Sequence, residues 1–228
     1  MNLYVYTNFI TNIFKKTMKN YKDLIRNFTK EDYREKRVNV HIHTAYSDGE
    51  ADPVDIVHQA KAKNYSYIAI SDHNTMKAYQ DFDLTTEDIV IPSVEFDVWC
   101  GYVFMHLLAY GVDLSNVELA KFFAKSKRET ELDIIRIFSR RNIKDLITAI
   151  HNAGGIAVLA HPACCWCLSL DKLVEKLVSY GLDGLEVYYP YARHRGIIKF
   201  HKAQTVEKIA DKYGLIKTGG TDLHGKVL

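Results

Sequence analysis

Five short apolar runs in this 228-residue chain each lead into a histidine or a carboxylate, and that recurrence constrains the fold more than any other feature. "RVNVHIH" carries His41 and His43, "YIAIS" runs into Asp72 and His73, and "IVIPSV" runs into Glu95. "IAVLA" runs into His161, and "LIKTGG" into Asp222 and His224. A further run, "YVFMHLLAY", holds His106 within it. Side chains two apart on a strand point to one face, so His41 and His43 reach a single ion together. In an α/β barrel the carboxyl ends of the strands converge on one mouth, where ligand groups from separate strands meet. Each residue alone has a bland explanation, but their coincidence points to a multinuclear metal site.

Between these runs the pattern turns helical. Asp52 before Pro53 is a helix start, with a capping carboxylate and a proline suited to the first turn. Further helices are expected over about 115–153, in "LDKLVEKLVSYG" and near 199–213, so roughly seven strands alternate with helices. That alternation implies an α/β barrel or an open parallel sheet. Ahead of it, Ile10, Ile13, Phe14, Met18, Tyr21, Leu24, Ile25 and Phe28 recur at three- and four-residue steps. They predict an amphipathic helix packed outside the main body.

Apolar residues at 47% and charged residues at 25% fit a globular chain with one sizeable core. A net charge of +2 argues against a general binder of nucleic acid or membrane surface. Three of the four cysteines crowd into "CCWC" at 164–167, a spacing unsuited to mutual disulfides, so a reducing, cytoplasmic setting is expected. No apolar run reaches membrane-spanning length, and the first residues lack the order of a secretion signal; no membrane association is expected.

Taken together, "HIHTAYSDG", "SDHN", "SVEF", "HLLAYGVD", "NAGGIAVLAHP" and "GGTDLHG" resemble the PHP phosphoesterases, the family named for polymerase-associated and histidinol-phosphatase domains. The resemblance covers about residues 37–225. It is nearest to the branch of small-nucleotide phosphatases and short-RNA exonucleases, whose first motif ends in "SDG"; Asp48 stands where other members use histidine. It implies a distorted seven-stranded β/α barrel over residues 37–228, with residues 1–36 a helical extension. It further implies two or three divalent ions and phosphoester hydrolysis. The implied ligands are His41, His43, Asp48, His73, Glu95, His106, His161, Asp222 and His224. Glu95 is implied as the bridge, with Asp222 and His224 beside it in catalysis.

Mixed imidazole and carboxylate ligands suit Mn, Fe or Zn without choosing among them. Such ions activate water to hydroxide and hold phosphate oxygens. Arg193, His194 and Arg195, in "PYARHRGIIK", are candidates to grip the phosphate of the substrate. The expected substrate is a small phosphorylated metabolite, a nucleotide or a short oligonucleotide, and long duplex nucleic acid is not expected. A metal-dependent amidohydrolase and a non-catalytic, metal-stabilised binding module are the alternatives. His58, His151 and His201 fall in helices and are set aside, and Cys164 with Cys167 lack the further ligands of a zinc site. Asp72 is either an orienting partner of a ligand or a strand-end cap. Tyr188, Tyr189 and Tyr191 are rim aromatics that could stack a ring.

Overall fold

The computed structural model describes residues 20–191 and 200–228. Two short helices come first, α1 (Tyr21–Arg26) and α2 (Lys30–Arg34). Asn20 caps α1, and Thr29 and Asp32 form a reciprocal capping box on α2. Ile25 of α1 is fully buried in a cluster with Val38, Val40, Leu108 and Ile216, and Lys22 pairs with Asp183 at 2.8 Å. Most of the amphipathic pattern expected from Ile10 to Phe28 lies outside the described residues.

The strands are β1 (Val38–Ile42), β2 (Tyr67–Ile70), β3 (Ser93–Cys100), β4 (Val103–Tyr110), β5 (Ile156–Leu159), β6 (Gly184–Tyr188) and β7 (Ile216–Gly219). Helix α3 (Pro53–Ala62) begins where the sequence places it, with the Asp52 carboxylate accepting from Val54 N at 2.8 Å. Helix α4 (Lys77–Phe82) follows β2. The stretch expected to be helical over 115–153 instead breaks into α5 (Val117–Ala120), α6 (Arg128–Glu131), α7 (Asp133–Arg136) and the ten-residue α8 (Ile143–Asn152). Asn116 and Asn142 each turn a side-chain oxygen onto backbone amides and start a new helix, and Leu132 is extended between α6 and α7. Helices α9 (Leu170–Ser179) and α10 (Ala203–Tyr213) complete the order. Helix α10 starts later than the sequence pattern suggests, because the Phe200 and His201 amides both donate to the Ala163 carbonyl.

The chain is an α/β fold, but its strands do not share one hydrogen-bonded ladder. Strands β1 and β2 form a parallel pair, and β3 to β7 form a second sheet in sequence order. Helices do not separate every pair of strands: β3 and β4 are an antiparallel hairpin turned by Gly101, at φ +65°, and Tyr102. Single bridges, Ile68 to Val90, His73 to Glu95 and Ile42 to Leu223, span the two seams.

Side chains explain why the seams carry so few backbone pairs. Between β2 and β3 the Tyr79 hydroxyl is inserted, accepting from Ile70 N at 3.1 Å and Ser93 N at 3.2 Å and facing the Ile70 and Ile91 carbonyls. Between β1 and β7, Asn39 does the same work, accepting from Thr221 N at 3.0 Å and donating to Thr221 Oγ1 at 2.8 Å. Buried backbone groups must find partners, and here side chains supply them. Both substitutions bring the strand ends, and the residues on them, to one place.

Candidate metal centre

All nine ligand candidates meet. His41 and His43, fully buried at the end of β1, hold their Nε2 atoms 3.1 Å apart. The Oε2 atom of Glu95, on β3, lies 3.2 Å from His41 Nε2, 3.1 Å from His43 Nε2 and 3.4 Å from His73 Nε2. Its Oε1 atom lies 3.4 Å from both His106 Nδ1 and His161 Nε2. Five imidazoles thus surround one carboxylate. Asp222 Oδ1 reaches His41 at 3.3 Å and His43 at 3.1 Å. On the open side, Asp48 faces His43, His73 and His224 at 3.5, 3.6 and 3.4 Å. Three groups have ligand atoms close enough for one ion each: His41, His43, Glu95 and Asp222; His43, Asp48, His73 and His224; and His73, Glu95 and His106.

The backbone is shaped to permit this crowding. A Cβ at Gly49 would stand 2.5 Å from the His43 carbonyl carbon, and one at Gly220 would stand 2.4 Å from His41 Cβ. These two glycines explain the "SDG" and "TGGT" stretches by close approach. His161 and Asp222 both take left-handed backbone angles, φ +29° and +49°, a conformation that non-glycine residues hold only when their surroundings enforce it.

Three side chains that touch the ligand candidates escape the sequence reading, and a fourth, Tyr189, is read there only as a rim aromatic. Glu186, fully buried on β6, faces His41 Nδ1 at 2.9 Å and accepts from His161 N at 2.8 Å. Asp97 sets Oδ1 3.4 Å from His73 Nδ1 and 3.2 Å from His106 Nε2, while Asn74 donates to its other oxygen. Arg136 of α7, almost wholly buried, pairs with Asp48 at 2.9 Å. The Tyr189 hydroxyl donates to Asp222 Oδ2 at 2.8 Å. Asp97 leaves a readable trace, since it follows Glu95 by two residues on one strand face. Arg136 leaves none, because it sits in a stretch that reads only as a helical region.

Asp72 acts on the loop after β1, accepting from Thr44 N, Thr44 Oγ1 and Ser47 Oγ, each at 2.7 Å. His58 lies on α3, His151 pairs with Asp183 at 2.7 Å, and His201 faces Cys167 Sγ at 3.3 Å, all away from the cluster. All four cysteines are free thiols, and none belongs to a metal-holding group among the described residues. Of the tyrosines, Tyr189 packs against His161 and Tyr191, while Tyr188 packs against Tyr33. Arg193, His194 and Arg195 lie outside the described residues.

Electrostatically the centre suits cations. Burial alone would depress every imidazole, yet at His43 hydrogen bonds to Asp222 and Glu95 outweigh it and lift the pKa to about 10. Glu95 and Asp97 do likewise for His106, also to about 10. His73 goes the other way, to about 4, because burial outweighs Asp97 and Glu95 there. Burial would raise the Glu95 carboxyl, but His41, His106 and His73 hold it well below its usual range. Asp48 Oδ1 and Glu95 Oε1 are buried without a hydrogen bond. Buried acceptors of that kind, among imidazole nitrogens, are the donor set a divalent ion takes.

Residues 39–136 match the family model of the PHP domain. The phosphoribosyl 1,2-cyclic phosphate 1,2-diphosphodiesterase of Eggerthella lenta is 38% identical over 88 residues, a stretch covering 36% of this chain and 28% of that protein. A Bifidobacterium adolescentis protein, solved as a candidate metal-dependent phosphoesterase, superposes with a TM-score of 0.67 at 22% identity, covering 83% of this chain and 88% of that one. An amidohydrolase of Chromobacterium violaceum, solved with sulfate and without metal, gives 0.62 at 17% identity over the same shares. At such identities these two structures speak for the fold. No helix among the described residues is long and apolar enough to cross a membrane. The match to the PHP-domain model over residues 39–136 agrees with the order of the motifs and with the histidine–carboxylate cluster.

Proposed function

We propose that the protein hydrolyses a phosphoester in a small phosphorylated metabolite, a nucleotide or a short oligonucleotide, using two or three divalent ions of Mn, Fe or Zn. In this reading the domain spans residues 37–228 as a distorted barrel, with residues 1–36 as its extension. The observation that carries the reading is the single buried carboxylate of Glu95 among five imidazoles. That arrangement supports Glu95 as the bridging ligand. Bound there, the ions supply Lewis acidity, activating a water and neutralising phosphate oxygens. The chain's own residues do the rest. Glu186 and Asp97 fix which ring nitrogens of His41, His73 and His106 face the centre. Arg136 holds Asp48 in place, and His224 sits at the more open side, the proposed entry for substrate, with the Asp222 carboxylate buried beside it as its partner in catalysis. Arg193, His194 and Arg195 remain the proposed grip on the phosphate.

The amidohydrolase alternative would favour a lysine among the bridging ligands, whereas the carboxylate of Glu95 is faced by five imidazoles. Protein loaded with Mn, Fe or Zn is therefore expected to turn over phenyl phosphate and to lose that activity on chelation, while an amide substrate and long duplex DNA stay intact. Metal-dependent amide hydrolysis would favour the alternative, and no turnover of any phosphoester would leave the binding-module reading.

Asp97 offers a sharper test of how the imidazoles are positioned. A carboxylate behind metal-binding histidines orients the ring and raises its basicity, and its loss typically costs 10–100-fold in affinity. Asp97→Asn is expected to weaken metal binding by about 10-fold or more, read by competition with a coloured chelator. Unchanged affinity in the folded variant would remove the positioning role.

A further inference from the structure

Asn74 and Arg136 each touch the metal centre and also line a separate cavity of about 530 Å³. Asn74 donates to the Asp97 carboxylate, and Arg136 pairs with Asp48 at 2.9 Å. None of the nine ligand candidates lines this cavity. Asn74 and Arg136 are only 1% and 6% exposed, so these two side chains form a wall between the cavity and the centre. The volume is that of a small-molecule site, and Phe122, Phe123 and Ile135 give part of it an apolar lining.

The charge of the cavity is lopsided. Five basic side chains line it, Lys121, Lys125, Arg136, Arg140 and Arg141, against one carboxylate, that of Glu129. Two of the cations are already matched, Lys121 by Glu118 at 2.7 Å and Arg136 by Asp48 and Asp133. The Glu129 carboxylate accepts from the Lys125 backbone amide at 3.3 Å and from Ser126 Oγ at 3.0 Å. Lys125, Arg140 and Arg141 make no ion pair among the described residues. Arg141 is fixed by the Phe122 and Asp97 carbonyls at 2.7 and 3.1 Å, whereas Lys125 and Arg140 are exposed. Burial pulls the Arg141 guanidinium below its ordinary value, as expected of a cation with carbonyls but no carboxylate against it. Like charges gathered in one concavity repel, and an oxyanion with several acceptor oxygens relieves that repulsion. The whole chain carries only +2, so this gathering is local.

We propose that this cavity binds a phosphate group, free or on a small molecule, at a site distinct from the metal centre, and that Arg136 couples the two sites. Arg141 is the fixed anchor, and Lys125 and Arg140 close on the oxygens. The inference goes beyond the phosphoester reading, since it adds an effector site rather than a contact to the reacting phosphate. The coupling has a definite sign. Arg136 is the partner of Asp48 while the centre is free, and it loses that counter-charge once Asp48 is committed to an ion. The cavity then becomes more positive. Metal and anion therefore strengthen each other's binding, by the same factor in both directions.

Metal-free protein titrated calorimetrically with inorganic phosphate, at an ionic strength held constant with chloride, is expected to bind one anion per chain saturably. Lys125→Ala and Arg140→Ala, both at exposed positions, should each weaken that binding by about 5-fold or more. Lys208→Ala removes the same charge from an exposed position on α10 and should leave it unchanged, as should His224→Ala at the metal centre. Glycerol 2-phosphate in place of inorganic phosphate distinguishes the sources of the group, because a site for free phosphate alone rejects the ester. The coupling is read without turnover, by competition for Mn with a coloured chelator. Sulfate, which has the shape of phosphate and is a poor metal ligand, should tighten Mn binding by about 5-fold or more, and the Lys125→Ala/Arg140→Ala double variant should abolish the effect. Phosphate binding that the double variant leaves intact, or that His224→Ala removes, would overturn the site, and a Mn affinity indifferent to sulfate would overturn the coupling. The phosphate titration needs neither metal nor turnover, so it decides the anion site even if the phosphoester reading fails.

Discussion

Glu95→Gln is expected to lower phosphoesterase turnover by more than about 100-fold in a protein that still folds, beyond the range typical for orienting partners behind metal ligands. The amide keeps the size of the side chain but loses its charge, and it turns a hydrogen-bond donor toward nitrogens that must bind metal. Both Glu95 oxygens are committed: Oε2 lies within 3.4 Å of three imidazoles and Oε1 lies 3.4 Å from two more. No neighbouring carboxylate stands in its place, since Asp97 stands behind His73 and His106, and Asp222 faces His41, His43 and His224. The apolar packing around β3 is untouched by the change, because Val94, Phe96 and Val98 bury the opposite face of the strand. Circular dichroism, metal content and kcat separate the outcomes. Near-normal turnover in a folded variant would rule out a bridging role, whereas loss of bound metal together with turnover supports one. Removing a ligand also weakens metal-linked stability, so thermal unfolding should be compared with and without added ion.

The features that were legible in the sequence share a physical basis. A strand writes its faces with a period of two, and its end is marked by the switch from β-branched residues to polar ones, so His41, His43, His73, Glu95 and His161 could be placed from spacing alone. The start of α3 was equally plain, because Asp52 and Pro53 act locally on the backbone. What escaped depends on contacts between distant segments. Nothing in its local sequence marks Tyr79, yet its hydroxyl fills the seam between β2 and β3. Arg136 reads as one charge among many in a helical stretch, yet it lies buried against Asp48, 88 positions away. The β3–β4 hairpin was partly legible, since only Gly101 and Tyr102 separate two apolar runs and a helix needs more chain than that.

Loading the metal-free protein at pH 7 is expected to release at least one proton per chain, and to stabilise the fold most strongly in the alkaline range. His43 and His106 are held at about 10, against an ordinary value of 6.5, so both carry protons at neutrality when no ion is present. Metal takes the neutral imidazole, and those protons must leave. The sign for stability follows from the same shifts. Because the folded values lie above the unfolded ones, the contribution of these histidines is fully present below about 6.5 and is lost as pH rises through about 10. The depressed carboxyl of Glu95 contributes in the other direction: present above its ordinary value, lost as pH falls through its folded one. His73, near 4, likewise favours the fold above 6.5 and disfavours it as pH falls toward 4. Metal-free protein should therefore lose more than about 5 °C in Tm between pH 7 and pH 10, a shift corresponding to roughly 2 kcal/mol for a domain of this size. Metal-loaded protein should lose much less, because its imidazoles are already neutral and the ions replace the missing positive charge. Calorimetric titrations in two buffers of different ionisation enthalpy count the protons, and thermal scans across pH with and without metal read the stability. Proton-neutral loading at pH 7, or parallel Tm profiles with and without metal, would show that the histidines around Glu95 are not the groups that take the ions.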